Sequence, residues 1–119
     1  MLTSLGAEDP IMISSSLSTL KIIIDQDVTL ISDELMTIIP ILENLISTRI
    51  IKNRQQVNNE SIRLNSLKIL TSLFNNYKIK DQLIQYKKQC LVKLAPGLDD
   101  PKRSVRKACA DLLQVLYEL

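Results

Sequence analysis

The sequence predicts an all-α protein, a stack of about five helices, and three observations carry that prediction. Of 119 residues only 2 are Gly and 4 are Pro, too few for a sheet that needs frequent turn residues. Aromatics make up 3 %, while Leu, Ile and Lys abound, a composition that favours helices with short connections. An apolar stripe at helical spacing runs through Val105, Cys109, Leu113 and Leu116, recurs as Ile62, Ser66, Leu70 and Leu73, and recurs more faintly as Met12, Ser16, Leu20 and Ile23.

Glu8-Asp9-Pro10 places acids before a proline, a helix opening, and the apolar pattern continues to about Ile24, which predicts a first helix over 9–25. Asp25-Gln26-Asp27 interrupts it. Ser32, Asp33 and Glu34 then signal a second helix over 33–50, with Leu35, Ile38, Ile39, Leu42, Leu45 and Ile46 inward and a kink at Pro40. From Arg49 to Asn59 the chain turns basic and amide-rich, a loop into which Ile50 and Ile51 can extend the helix.

Asn58 or Asn59 caps a third helix over 59–75, which Asn75-Asn76 ends with the left-handed stop that asparagine tolerates. Asp81 opens a fourth over 80–95, carrying Leu83, Ile84, Cys90, Leu91 and Leu94 up to Pro96-Gly97. Asp99 and Asp100 offer N-cap acceptors and Pro101 fits a first turn, so a fifth helix covers 101–118, its stripe widened by Ala110 and Leu112.

Met12, Ile62 and Val105 are equivalent positions 50 and 43 residues apart, about the period of HEAT or armadillo units built from helix pairs. Ile62-Arg63 and Val105-Arg106 supply the aliphatic-Arg dipeptide that opens the second helix of such a pair. The order reads second helix, pair, pair, about two and a half repeats of an α-solenoid. Hydrophobic content of 45 % with mean hydropathy +0.08 suits helices that touch neighbours on two sides. Residues 1–119 therefore read as a single HEAT-repeat domain, a fragment of a longer array.

No uncharged run is long enough to span a bilayer, and no basic region precedes an apolar stretch at the N-terminus, so a cytosolic or nuclear location is expected. The chain has no histidine, removing the commonest general base and metal ligand together. Its two cysteines, Cys90 and Cys109, lie on apolar stripes, where a thiol acts as a small hydrophobe, and there is no Gly-rich phosphate loop. No enzyme, metal or cofactor is expected. Tyr77, Tyr86 and Tyr117 are scattered and form no base-stacking platform.

Charge is segregated: residues 1–48 carry −6 and residues 49–119 carry +8. The basic end holds Lys87, Lys88 and Lys93 on the fourth helix and Lys102, Arg103, Arg106 and Lys107 on the fifth. This cluster has one bland reading, a solvated solenoid edge with Arg106 laddering to a neighbouring carboxylate. Its functional readings are a protein-docking face and a phosphate-binding ridge. The candidate partner-binding residues are Lys87 and Lys88, with Asp99 and Asp100 fixing a turn beside Lys102, Arg103, Arg106 and Lys107.

Read as one string, YKKQCLVKLAPGLDDPKRSVRKACADL from Tyr86 to Leu112 resembles the extreme C-terminus of a known adaptor family. These are the large HEAT-repeat adaptors of the cytosolic iron–sulfur assembly (CIA) targeting complex, also known as the methyl-methanesulfonate-sensitivity and nucleotide-excision-repair HEAT proteins. The similarity rests on the tyrosine–lysine–cysteine motif at Tyr86, Lys87 and Cys90 and on the run from Leu98 to Lys107. Over residues 1–80 it is the HEAT pattern alone, and Tyr117 alone stands for the aromatic residues of the family's final helix.

The resemblance implies a non-catalytic scaffold in the cytoplasm and nucleus and a C-terminal place in the longer solenoid. Its C-terminal repeats would hold a small cluster-assembly component and a WD-repeat β-propeller subunit and help present apo iron–sulfur clients of DNA metabolism for cluster insertion. The alternative is a HEAT adaptor of transport or chromatin type whose basic ridge meets nucleic acid or an acidic peptide. Salt separates the two: phosphate binding weakens log-linearly with salt, whereas a docking surface with a buried apolar centre weakens less.

Overall fold

The computed structural model describes residues 10–46, 51–52, 55–56 and 60–119. The expected contributions of Glu8, Asp9, Arg49, Ile50, Asn58 and Asn59 lie outside those residues. Helix α1, Pro10–Asp27, begins on a proline and buries Ile13, Leu17, Leu20 and Ile24, with Ser16 beside them. The expected Ser16 and Leu20 are buried, but Met12 is 48 % exposed and Ile23 only half-buried, and Ile13 and Ile24, each one residue later, take their places.

The same i, i+4, i+7, i+11 spacing buries Ile62, Ser66, Ile69 and Leu73, and then Val105, Cys109, Leu112 and Leu116. The expected Ile62, Ser66, Leu70 and Leu73 are all buried, Leu70 on the second covered side of its helix, whereas in the last copy the expected Leu113 drifts off the line that a four-then-three alternation keeps. Leu113 is accordingly half-buried and Ala110 exposed. The repeat offsets are 49 and 43 residues.

Asp27 ends α1 by accepting a hydrogen bond from the Thr29 backbone N–H at 3.1 Å, which caps a 3₁₀ turn over Val28–Glu34. Val28 and Ile31 fall three apart, the period at which a 3₁₀ coil keeps both on the buried side. The second helix therefore starts at Leu35 rather than residue 33, and Asp33 and Glu34 belong to the turn before it. Helix α2, Leu35–Leu45, continues through Pro40 and stops short of residue 50. Ile51–Lys52 (β1) and Gln55–Gln56 (β2) pair antiparallel, so Ile51 joins a two-residue ribbon in the loop and does not extend the helix.

Helix α3, Glu60–Phe74, is covered on two sides and buries Leu67, Leu70 and Phe74 besides its stripe. Asn76 is extended, with φ −85° and ψ 112°, rather than left-handed. It ends the helix by accepting from the Lys78 backbone N–H at 3.0 Å. Asp27 and Asn76 stand 49 residues apart, the offset that also relates Ile13 to Ile62, so the repeat extends to its turns.

The expected fourth helix is two, α4 (Lys80–Leu83) and α5 (Lys87–Leu94), separated by a 3₁₀ turn at Ile84–Tyr86. The break leaves Ile84 53 % exposed and brings Leu83, Cys90 and Leu94 to the core. A further 3₁₀ turn, Ala95–Asp99, leads to α6, Arg103–Glu118, two residues later than expected. Gly97 is buried in that turn and packed so closely that a Cβ there would sit 2.8 Å from the Cys109 Sγ, which is why the position takes a glycine.

Helices α1, α3 and α6 lie side by side in that order, and α2 and α5 form a second layer against them. The three copies of the stripe thus occupy one layer of an all-α, HEAT-like stack, and a single core cluster runs through it.

Candidate functional site

The third repeat is joined to the second through Arg63. This arginine follows Ile62 in the first turn of α3 and is only 3 % exposed. Its Nε donates to the Asp100 Oδ2 at 2.8 Å and its Nη2 to Oδ1 at 3.3 Å, a two-point fork in which the side chains are 4 % and 1 % exposed. A guanidinium matches a carboxylate in this planar geometry, and burial removes the water that would screen the pair.

Asp100 is tied down twice more. Its Oδ1 accepts from the Lys102 backbone N–H at 2.9 Å, and its carbonyl accepts from the Arg106 Nη1 at 2.7 Å. Arg106 is the counterpart of Arg63 one repeat on, and it secures the turn of its own repeat. At the surface above, the Ser104 hydroxyl donates to the Glu60 Oε1 at 2.7 Å, a second link between the starts of α3 and α6.

These contacts sort the candidate residues. Asp100 is buried and bonds within the fold, so it shapes the turn and offers no side chain to a partner. Arg106 is half-buried and engaged with that turn. Asp99, Lys102, Arg103 and Lys107 are exposed, the last three on or just before the first turns of α6. Lys87 and Lys88 start α5, whereas Lys102 and Arg103 follow the turn after its end. The α5–α6 hairpin therefore puts them at its opposite ends and divides the expected cluster in two.

Both thiols are enclosed. Burial, with Asp100 nearby, pushes the Cys109 thiol up to about 11, and it donates to the Leu94 carbonyl at 3.1 Å. Burial first and the Glu43 carboxylate second push Cys90 well above the usual thiol range. A thiol that stays protonated at neutral pH is a poor nucleophile and a poor metal ligand. Among the described residues no group of three or more Cys, Asp or Glu side chains could hold a metal ion, and no helix is long and apolar enough to cross a membrane.

Sequence reasoning passed over Arg63 and Glu43 as site residues. Arg63 carried a signal, since it occupies the position of Arg106 in the preceding repeat. Glu43 carried none: it sits in an aliphatic run of α2, 6 % exposed, where its Oε1 accepts from the Gln89 Nε2 at 2.7 Å across to α5.

A family model described as RNAPII transcription regulator C-terminal matches residues 1–74. The DNA repair/transcription protein MMS19 of Saccharomyces cerevisiae (strain ATCC 204508 / S288c) is 34 % identical to the chain over 119 residues, all of this chain and 11 % of that protein. The chain thus spans about a ninth of the relative's length, and the match includes both repeat boundaries.

Proposed function

This chain belongs to the MMS19 family of DNA repair and transcription proteins, and on that premise we propose that it is a non-catalytic scaffold segment of cytosolic iron–sulfur protein assembly. Its last repeat docks other subunits of the CIA targeting complex so that apo iron–sulfur clients of DNA metabolism receive their clusters. The partners are the small cluster-assembly component and the WD-repeat β-propeller subunit, and the chain works in the cytoplasm and the nucleus. The cluster is cargo held by other proteins.

The observation that supports this reading is the start of α6. Three exposed cations, Lys102, Arg103 and Lys107, stand at the start of α6, next to a turn fixed by Arg63, Asp100 and Arg106. A charged surface held on a rigid support binds without first ordering itself, which lowers the entropy cost of docking. Affinity capture tests the reading. Immobilised chain is expected to retain the purified small cluster-assembly component and to hold it through a salt wash; retention no better than on a bare matrix contradicts the proposal.

A further inference from the structure

Helices α1 and α3 leave between them a groove of about 260 Å³, lined by Leu17, Ser18, Lys21, Ile22, Asn65, Lys68 and Ile69. Leu17 and Ile69 close the floor of the groove at 1 % and 2 % exposure, while Ile22 on its wall is 57 % exposed and supplies its apolar surface. Lys21 is paired, its Nζ lying 2.7 and 2.9 Å from the Asp25 carboxylate oxygens. Lys68 is exposed and has no carboxylate partner among the described residues. The Asn65 amide nitrogen reaches the Ser61 hydroxyl only at a long 3.4 Å, and its amide oxygen has no donor among the described residues.

We propose that this groove docks an acidic linear peptide from a protein partner: one large apolar side chain enters over Leu17, Ile22 and Ile69, an adjacent carboxylate pairs with Lys68, and Asn65 meets the peptide main chain. At about 260 Å³ the groove falls below the ~300–1,000 Å³ of small-molecule pockets, so it suits a single anchoring side chain. The charge left unneutralised is positive, which selects a carboxylate neighbour for that anchor. Nucleic acid fits poorly, because no aromatic ring lines the groove for a base to stack on. The site is separate from the α6 surface and does not depend on it.

The test is a fluorescence-anisotropy titration with a fluorescein-labelled peptide, Gly-Asp-Glu-Leu-Phe-Glu-Asp-Gly. Its Asn/Gln counterpart serves as the uncharged control. Saturable binding is expected, weakened about tenfold or more by Lys68→Glu, which sets like charges against each other, and by Ile22→Ser, which removes the exposed apolar wall, and weakened also by the uncharged peptide. Both replaced side chains are exposed, so the helical signal should not change. The Lys102→Glu, Arg103→Glu double variant should bind the peptide as the parent does, which separates this groove from the α6 end. Absence of saturation at ~1 mM probe, or binding indifferent to Lys68→Glu, overturns the proposal. So does a concentration-dependent dimer that Ile22→Ser dissolves, because the groove would then belong to a second copy.

Discussion

Arg63 grips Asp100 at two points across the boundary between adjacent repeats, with both side chains sealed from water. Removing one partner of such a pair strands the other charge in the interior, which costs about 3–5 kcal/mol. Arg63→Met and Asp100→Asn are each expected to lower the urea midpoint by that equivalent. Lys21→Met, which breaks the exposed Lys21–Asp25 pair, should change stability by about 0.5 kcal/mol or less. Equal effects at the buried and exposed pairs would refute the structural role given to Arg63.

Gly97 and Cys109 should behave as one unit. A Cβ at residue 97 would meet the Cys109 Sγ at 2.8 Å, so Gly97→Ala overpacks the junction of the turn with α6 and should cost about 1–3 kcal/mol. Cys109→Ala removes the obstructing sulfur and should recover part of that loss in the double variant. Additive losses in a double-mutant cycle would contradict the contact.

Alkaline pH should weaken the fold through Cys109. The folded-state thiol titrates at about 11 against an ordinary 9.0, so its contribution is complete below pH 9 and disappears as pH rises from 9 through 11. Melting temperatures across that window should fall more steeply for the parent chain than for Cys109→Ala. Parallel curves would show that the thiol ionises as easily folded as unfolded.

The register of the last helix separates two neighbouring leucines. Leu112 is 0 % exposed and Leu113 half-buried. Leu112→Ala should cost about 2–5 kcal/mol, and Leu113→Ala clearly less. The reverse order would restore the i, i+4, i+8 stripe.

The layered fold was legible because helical periodicity and the aliphatic-Arg dipeptides both repeat, and Ile62 and Val105 are the stripe residues that anchored them. The one-residue error at Met12 arose because Ile11, Met12 and Ile13 are all apolar, and composition alone does not say which of the three faces the neighbouring helix. The 3₁₀ turns at Val28–Glu34 and Ile84–Tyr86 were not legible, since their residues suit an α-helix equally well and only packing selects the tighter coil. At the candidate site, exposure of Lys102, Arg103 and Lys107 followed from the pattern of α6. The burial of Asp100 did not, because its partner lies 37 residues away and an aspartate before a helix reads as a cap.

Under the proposed function, the exposed cations at the start of α6 meet a partner while the buried ions beneath them hold the repeat. Isothermal titration of the small cluster-assembly component into the Lys102→Glu, Arg103→Glu double variant tests this directly, alongside a thermal melt. Both side chains are exposed, so the melt should match the parent, whereas affinity should fall about 30-fold or more, the equivalent of about 2–5 kcal/mol for a lost interfacial charge contact. Unchanged affinity in the folded variant would contradict the docking role and return these residues to a solvated edge of the stack.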